Sequence, residues 1–220
     1  NDWTRVFLIS DKIIATLYSN LNAIKIVSDN THNPVPYAIA QIMKVAAMSR
    51  VTDAYGAIPY SKIGEDGKIT TPYDSQEEVY NKFFEELDGA IAVLTENRNA
   101  ALVASADFVY SGNVQKWCKF ANSLKLRLAI RIGYANPSKA KEMAESAVKQ
   151  EMGLIESNED NAKWNYFGTL PNPIYTAVRY NEEKTGGDTH AAADIICYMN
   201  GYDDNRRASY FEKSKWEEQA

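Results

Sequence analysis

Few residues in this sequence could carry catalysis, and they are scattered. There are two histidines, His32 and His190, and two cysteines, Cys118 and Cys197. No second histidine follows at helical spacing and the cysteines form no C-x-x-C pair, so zinc and redox motifs are missing. Both cysteines lie among apolar neighbours in predicted helices, which indicates small buried hydrophobic residues. We assign no catalytic residue, no metal ligand and no cofactor.

The other catalytic patterns also fail on spacing. A G-x-S-x-G nucleophile motif is absent. The stretch "GEDGKIT" has two residues between its glycines, where a phosphate-binding loop needs four. The 29 acidic residues offer many possible carboxylate pairs, so no single pair is informative, and adjacent pairs are typical of solvated helix faces. A hydrolase is therefore the poorest interpretation, and the sequence does not predict an enzyme.

Length and charge restrict the remaining classes. The 220 residues fit a single domain over 1–220, with ample apolar material for a core. The formal net charge of −5 argues against a general attraction to nucleic acid or anionic lipid. No apolar run is long enough to span a membrane. The sequence opens at Asn1 without a signal peptide and stops inside a charged helical run, so we expect it to be part of a longer chain.

Helical periodicity dominates the elements that must position any site. A capping box, Ser75 with Glu78, opens one helix, and Asn136 with Pro137 opens another. The helix starts are loosely repeated, which predicts an all-α fold of successive antiparallel helix pairs in a superhelical array with long ordered loops. Six helices are predicted: 3–27, 37–51, 76–97, 114–134, 138–151 and 191–201.

The segment 114–134 is unusual because apolar residues mark two of its sides. The first face carries Trp117, Phe120, Ala121, Leu124, Leu128 and Ile132. The second face carries Leu126 and Ile130. Four cations lie between the faces: Lys116, Lys119, Arg127 and Arg131. A helix packed on two sides would bury part of these cations, which favours internal ion pairing over the alternative of an anion-binding groove.

The connection "DAYGAIPYSK" at 53–62 is too aromatic and stiff for an ordinary helix-to-helix linker. Gly56 permits a tight turn, Pro59 restricts the backbone, and Tyr55 and Tyr60 can pack against helix ends. We interpret this loop as structural.

Three blocks of the sequence resemble the SusD/RagB family of Bacteroidota. They are "VTDAYGAIPYSKI", "TPYDSQEEVYNKFFEELDGAIAVL" and "GNVQKWCKFANSLKLRLAIRI", in order along the chain. The later "NPIYTAVRY" and "YMNGYDDNRRASYF" are similar to further family blocks. One departure is Asp204-Asn205-Arg206, where relatives commonly have Asp-Pro-Arg. Relatives are also longer and carry an N-terminal lipidated cysteine that this sequence lacks.

The resemblance implies a fold of tetratricopeptide-like helix pairs and a non-enzymatic role. It implies a surface-exposed lipoprotein of the cell outer membrane, attached only through a lipid anchor. The implied ligand is a glycan, taken up through a partner SusC-like TonB-dependent transporter. The alternative is a peptide- or protein-binding helical-repeat module, as in RagB-like peptide capture.

A glycan site needs exposed aromatic faces beside amide and carboxylate groups, because sugar rings combine apolar C–H faces with hydroxyls. The best local match is "NAKWNYFGTLPNPIY", and Trp3 at the head of the first helix is a weaker candidate. The candidate ligand-binding residues are Trp164, Asn165, Tyr166, Phe167, Asn172 and Trp3. The alternative is that these aromatics hold the loop onto the helices, and the sequence leaves both open.

Overall fold

The structure, a computed structural model, describes residues 3–64, 71–100, 102–164, 172, 175 and 191–211, with side chains from residue 14 onward. Within these residues the regular secondary structure is helical, apart from an isolated antiparallel β-bridge between Ile58 and Asp74. The all-α prediction is confirmed. The helices are α1 (Trp3–Thr31), α2 (Val35–Tyr55), α3 (Gln76–Glu96), α4 (Val114–Arg131), α5 (Pro137–Lys149), α6 (Ala193–Gly201) and α7 (Arg207–Tyr210), with 3₁₀ turns at Ala104–Ala106 and Asn158–Asp160.

The chain divides into two compact units. The first, Asn1–Trp164, contains α1 to α5, and the second, Asn165–Ala220, contains α6 and α7. In the first unit each helix packs against the next one along the chain, from α1 on α2 to α4 on α5. This succession of neighbouring helices is the predicted tetratricopeptide-like arrangement. The single domain over 1–220 stays a prediction.

The core of the first unit lies where α2, α3 and α4 meet. The apolar stripe that the sequence predicts on α3 is buried throughout, and so is most of the first apolar face of α4, because both repeat with the 3.6-residue period of a helix. The stripe on α3 comprises Tyr80, Phe83, Leu87, Ile91 and Leu94. Large side chains that are almost fully buried include Ile42, Met48, Phe83, Phe84, Leu87 and Leu94.

The predicted helix starts are confirmed by their hydrogen bonds. Glu78 Oε2 accepts from the Ser75 amide at 2.8 Å, and Ser75 Oγ accepts from the Glu78 amide at 3.3 Å, which completes the capping box. At α5 the Asn136 side chain accepts from the Lys139 amide at 3.1 Å. These bonds satisfy amide groups that have no partner inside the helix.

Two helices are longer than the sequence predicted. Helix α1 runs to Thr31 instead of residue 27, because its polar last turns are supported by the Lys25–Asp29 pair at 2.7 Å. Helix α2 spans Val35–Tyr55 instead of 37–51 and stops where Gly56 adopts φ +76°. The positive φ at Gly56 ends the helix at little steric cost, because glycine has no Cβ.

The 53–62 loop is part of the core, which confirms its structural interpretation. Ile58 and Tyr60 are buried. The Asp74 carboxylate accepts the backbone amides of Tyr60, at 3.0 Å, and Ser61, at 2.7 Å. The loop is therefore held against the start of α3 at both its backbone and its side chains.

A buried polar cluster joins this loop to three helices. Glu86 of α3 pairs with Lys44 of α2 at 2.6 Å and accepts a short hydrogen bond from the Tyr60 hydroxyl. Tyr18 of α1 donates its hydroxyl to the Tyr60 carbonyl at 3.1 Å. Burial, then the Glu86 charge, raises the pKa of Tyr60 well above its usual value. The phenol therefore stays protonated and remains a donor to Glu86.

Glu86→Ala should lower the free energy of unfolding by about 3 kcal/mol, because it leaves the buried Lys44 ammonium without its partner. Glu85→Ala is the matched control. Glu85 is the preceding residue of α3, its side chain is 68% exposed, and among the described residues it pairs with Lys82 three residues earlier. Its loss should cost about 0.5 kcal/mol or less. Urea unfolding followed by far-UV circular dichroism measures both, and equal losses would contradict a central role for the Lys44–Glu86 pair.

Candidate functional site

The structure describes the side-chain surroundings of two of the six predicted ligand-binding residues, Trp164 and Asn172, and the role of all six in binding stays a prediction. Trp164 is the last residue of the first unit and is 43% exposed. Asn172 is half-buried. Asn165, Tyr166 and Phe167 lie outside the described residues, and so does the side chain of Trp3, which opens α1.

Trp164 forms an exposed aromatic pair with Phe108, a residue that sequence reasoning missed. Their ring centroids lie 5.6 Å apart with the planes tilted by 55°, and Phe108 is 47% exposed. We call this pair the Phe108–Trp164 platform. Phe108 lies in the loop before α4, where the sequence has no helical periodicity that would predict which side chains are exposed. Its one local signal was an aromatic residue directly after an aspartate in a loop.

The Asp107 carboxylate holds the loop that carries the platform phenylalanine. Its Oδ1 accepts the backbone amides of Val109 at 3.0 Å and Tyr110 at 3.1 Å. Its Oδ2 accepts the amide of Gly112 and the indole N–H of Trp117, each at 2.8 Å. One carboxylate thus gathers three loop amides and ties them to the first turn of α4.

These bonds also set the ionisation of Asp107. Burial alone would raise its pKa, but the donors, led by the Trp117 indole and the Gly112 amide, outweigh burial, so the pKa lies below its usual value. The group is therefore ionised at neutral pH and accepts all four hydrogen bonds as a carboxylate.

The segment that carries Trp164 is fixed to α4 as well. Tyr110 donates its hydroxyl to the Asp160 carbonyl at 2.8 Å. Lys116 Nζ donates to the Glu159 carbonyl at 2.6 Å, and Lys119 pairs with the Asp160 carboxylate at 3.0 Å. The bond from Lys119 lowers the pKa of Asp160, whereas burial, followed by the nearby Asp160 and Asp107 charges, raises the pKa of Tyr110 to about 12.

These contacts and the Arg131–Asp53 pair, at 2.7 Å, give the partners of three of the four cations that the sequence predicts between the two apolar faces of α4. Internal ion pairing is confirmed for Lys119 and Arg131, whereas Lys116 bonds to a backbone carbonyl and Arg127 is exposed. The second apolar face is not packed as predicted, because Ile130 is 68% exposed in the described part of the chain. A further buried cation of α4, Lys125, bonds to Asp88 and Ser146.

The prediction for the cysteines is right for one and wrong for the other. Cys118 is fully buried in α4, within 3.6 Å of the Thr95 hydroxyl. Cys197 is exposed. It lies on the short helix α6, where Met199 supplies the buried position and the neighbouring Tyr198 is 69% exposed. Apolar neighbours in sequence did not indicate burial there, because α6 is apolar around most of its circumference.

The platform can bind an apolar face, and the surrounding groups can add hydrogen bonds. Asn161 and Lys163 are exposed beside Trp164 in the sequence. No group of histidine, cysteine and acidic side chains among the described residues could hold a metal ion. The arrangement suits stacking and hydrogen bonding to a ligand that has both an apolar face and hydroxyl groups.

A family model, described as SusD-like, "Susd and RagB outer membrane lipoprotein", matches residues 1–220. The chain belongs to the SusD/RagB family. This confirms the resemblance and the predicted outer-membrane location of this lipoprotein family. The family consists of non-catalytic binding proteins, which confirms that the chain is not an enzyme. No helix in the described part of the chain combines the length and apolar character needed to cross a membrane.

Solved structures of SusD homologues match nearly the whole chain. One from Bacteroides uniformis is 80% identical, with a TM-score of 0.90 over 99% of this chain and 44% of its own. A chitin-binding homologue from Flavobacterium johnsoniae is 40% identical, with a TM-score of 0.79 over 92% and 42%. One from Bacteroides thetaiotaomicron is 39% identical, with a TM-score of 0.78 over 93% and 40%. The chain thus spans less than half the length of these proteins. The comparison with curated proteins gives no significant match.

Asp107→Asn should destabilise the protein by about 2 kcal/mol at neutral pH, because an amide provides only one acceptor oxygen for four N–H donors. The matched control is Asp29→Asn, which changes an exposed i,i+4 pair and should cost about 0.5 kcal/mol or less. Urea unfolding at pH 7 checks both. A loss for Asp107→Asn no greater than that of the control would contradict the anchoring role of the carboxylate.

The same variant should show a defined pH dependence. A lowered folded pKa stabilises the protein fully above the unfolded value of 3.8 and loses this effect as the pH falls through the folded value. The stability difference between the unchanged protein and Asp107→Asn should therefore be constant from about pH 7 to pH 5 and shrink as the pH falls below the unfolded value of 3.8. Unfolding titrations at each pH measure it, and a difference that grows on acidification would show the opposite shift.

Proposed function

We propose that the protein binds glycans, as oligo- or polysaccharides, through the Phe108–Trp164 platform and without catalysis. The observation that carries the proposal is a pair of half-exposed aromatic rings on two loops, each tied to α4 by hydrogen bonds. Rings held in this way can stack on a sugar with little further loss of conformational entropy. By the resemblance to its family, the protein delivers the glycan to a SusC-like TonB-dependent transporter.

Membership of the family and the chitin-binding relative support a carbohydrate ligand. A relative that is 40% identical does not specify the ligand of this protein, so chitin is the first probe and not the conclusion. An N-acetylglucosamine oligomer presents repeated apolar ring faces, which suit a two-ring platform. Peptide capture predicts a different outcome, since it needs a groove with backbone partners and not a short stacking surface.

Trp164→Ala and Phe108→Ala should each weaken glycan binding by about tenfold or more, because each removes one stacking face. Affinity electrophoresis through gels containing chitin derivatives, starch, plant and host glycans identifies the ligand. Calorimetry with an oligosaccharide of that ligand then gives the affinity.

Tyr73→Ala is the matched control, because Tyr73 is 71% exposed in the loop before α3 and lies outside the platform. It should bind normally. Unchanged binding by Trp164→Ala would contradict the platform. Binding of a peptide library with no retardation by any glycan would contradict the ligand class.

A further inference from the structure

The first unit contains a polar cleft that the platform does not use. It has a volume of about 480 Å³ and lies where the end of α2, the start of α3 and the turn between α4 and α5 come together. We call it the Asp53 cleft. Its wall includes Asp53, Glu77, Asn81, Arg131, Asn136 and Lys139.

Two bonds fix the carboxylate that gives the cleft its name. Asp53 Oδ1 accepts the hydroxyl of Tyr80 at 2.6 Å, and Oδ2 pairs with Nε of Arg131 at 2.7 Å. Burial and the bond to Asp53 raise the pKa of Tyr80, which keeps its phenol protonated as a donor. The Arg131 side chain is 56% exposed. Its guanidinium is engaged by Asp53 through Nε and also contacts the Tyr80 hydroxyl, so its remaining N–H groups are the part that can reach a ligand.

The charges on the wall of the cleft balance. Asp53 and Glu77 contribute two carboxylates, and Arg131 and Lys139 contribute two cations. Because these opposite charges largely cancel, a ligand with a net charge gains little electrostatic free energy by binding there. A neutral ligand with adjacent hydroxyls fits it, because carboxylate, guanidinium and amide groups each engage two hydroxyls in one plane.

Apolar surface for a sugar ring lies in the same place. Ile132 and Ala135 line the cleft from the turn between α4 and α5. Tyr134, between them in sequence, is fully exposed. The cleft lining also includes Tyr80, which is buried and bonded to Asp53, so the apolar surface open to a sugar ring is that of Ile132 and Ala135.

We propose that the Asp53 cleft is a second binding site, separate from the platform, for one neutral saccharide unit. Arg131, Asn81 and the fixed Asp53 carboxylate bind its hydroxyls, and the α4–α5 turn contacts its ring. This inference shares its ligand class with the proposed function but none of its residues.

Nuclear magnetic resonance separates the two sites in one titration. The probes are glucose, galactose, mannose, xylose and N-acetylglucosamine at millimolar concentrations. The Arg131 Nε–H and the Asn81 side-chain amide report on the cleft, and the Trp164 indole N–H reports on the platform. The buried Trp117 indole, bonded to Asp107, is an internal reference that should not shift.

At least one neutral sugar should move the Arg131 and Asn81 signals along a saturating curve. Arg131→Gln and Asn81→Ala should each weaken this binding by about tenfold or more. Arg131→Gln is read from the Asn81 signal and Asn81→Ala from the Arg131 signal. Arg127→Gln is the control, since Arg127 is also an exposed arginine of α4, one helical turn earlier, and does not line the cleft. It should leave the curve unchanged.

Three results would overturn the second site. They are no saturable shift at Arg131 or Asn81 with any neutral sugar, a shift with galacturonate alone, or unchanged binding in both cleft variants. A shift at Trp164 without one at Arg131 leaves the platform standing and removes the cleft. A shift at Arg131 without one at Trp164 supports the cleft and contradicts the platform.

Discussion

The Asp107 carboxylate, which accepts three backbone amides and one indole N–H, is the group on which the exposed platform depends. A loop with inward-facing amides loses free energy for each one left unpaired. A single carboxylate pairs them at one point and thereby holds the backbone in one conformation. The neighbouring Phe108 then presents a half-exposed ring from a loop of fixed conformation, which suits a surface that binds by stacking.

The same physical device recurs where other elements join. Glu86 receives Lys44 and the hydroxyl of Tyr60, and Asp53 receives Tyr80 and Arg131. In each case a carboxylate from one element is satisfied by donors from others, because a charge in such a position is costly unless it is paired and hydrogen-bonded. These bonds also restrict which helix faces can pack together, so they define relative positions that apolar contacts alone leave adjustable.

In the first unit the helices form the apolar core, and the loops are held against this core by polar bonds. The apolar contacts of α2, α3 and α4 provide the core, and the loops before α3, before α4 and after α5 are held against it by polar bonds. Aromatic faces presented from anchored loops lose little freedom when a ligand binds. This is a physical reason why a helical scaffold with long ordered loops suits a binding protein that does no chemistry.

The sequence by itself determined the helical class, the helix caps, the buried stripes of α3 and α4, and the structural role of the 53–62 loop. These follow from local period, capping chemistry and backbone stiffness, which act over a few residues. It also predicted Trp164 as a ligand-binding candidate, but not Phe108, because the two rings meet only through tertiary packing. Likewise Cys197 lies outside the core and Ile130 is exposed despite apolar neighbours. The tertiary structure decided which carboxylate pairs with which donor, because burial and ion pairing depend on contacts between elements far apart in the chain.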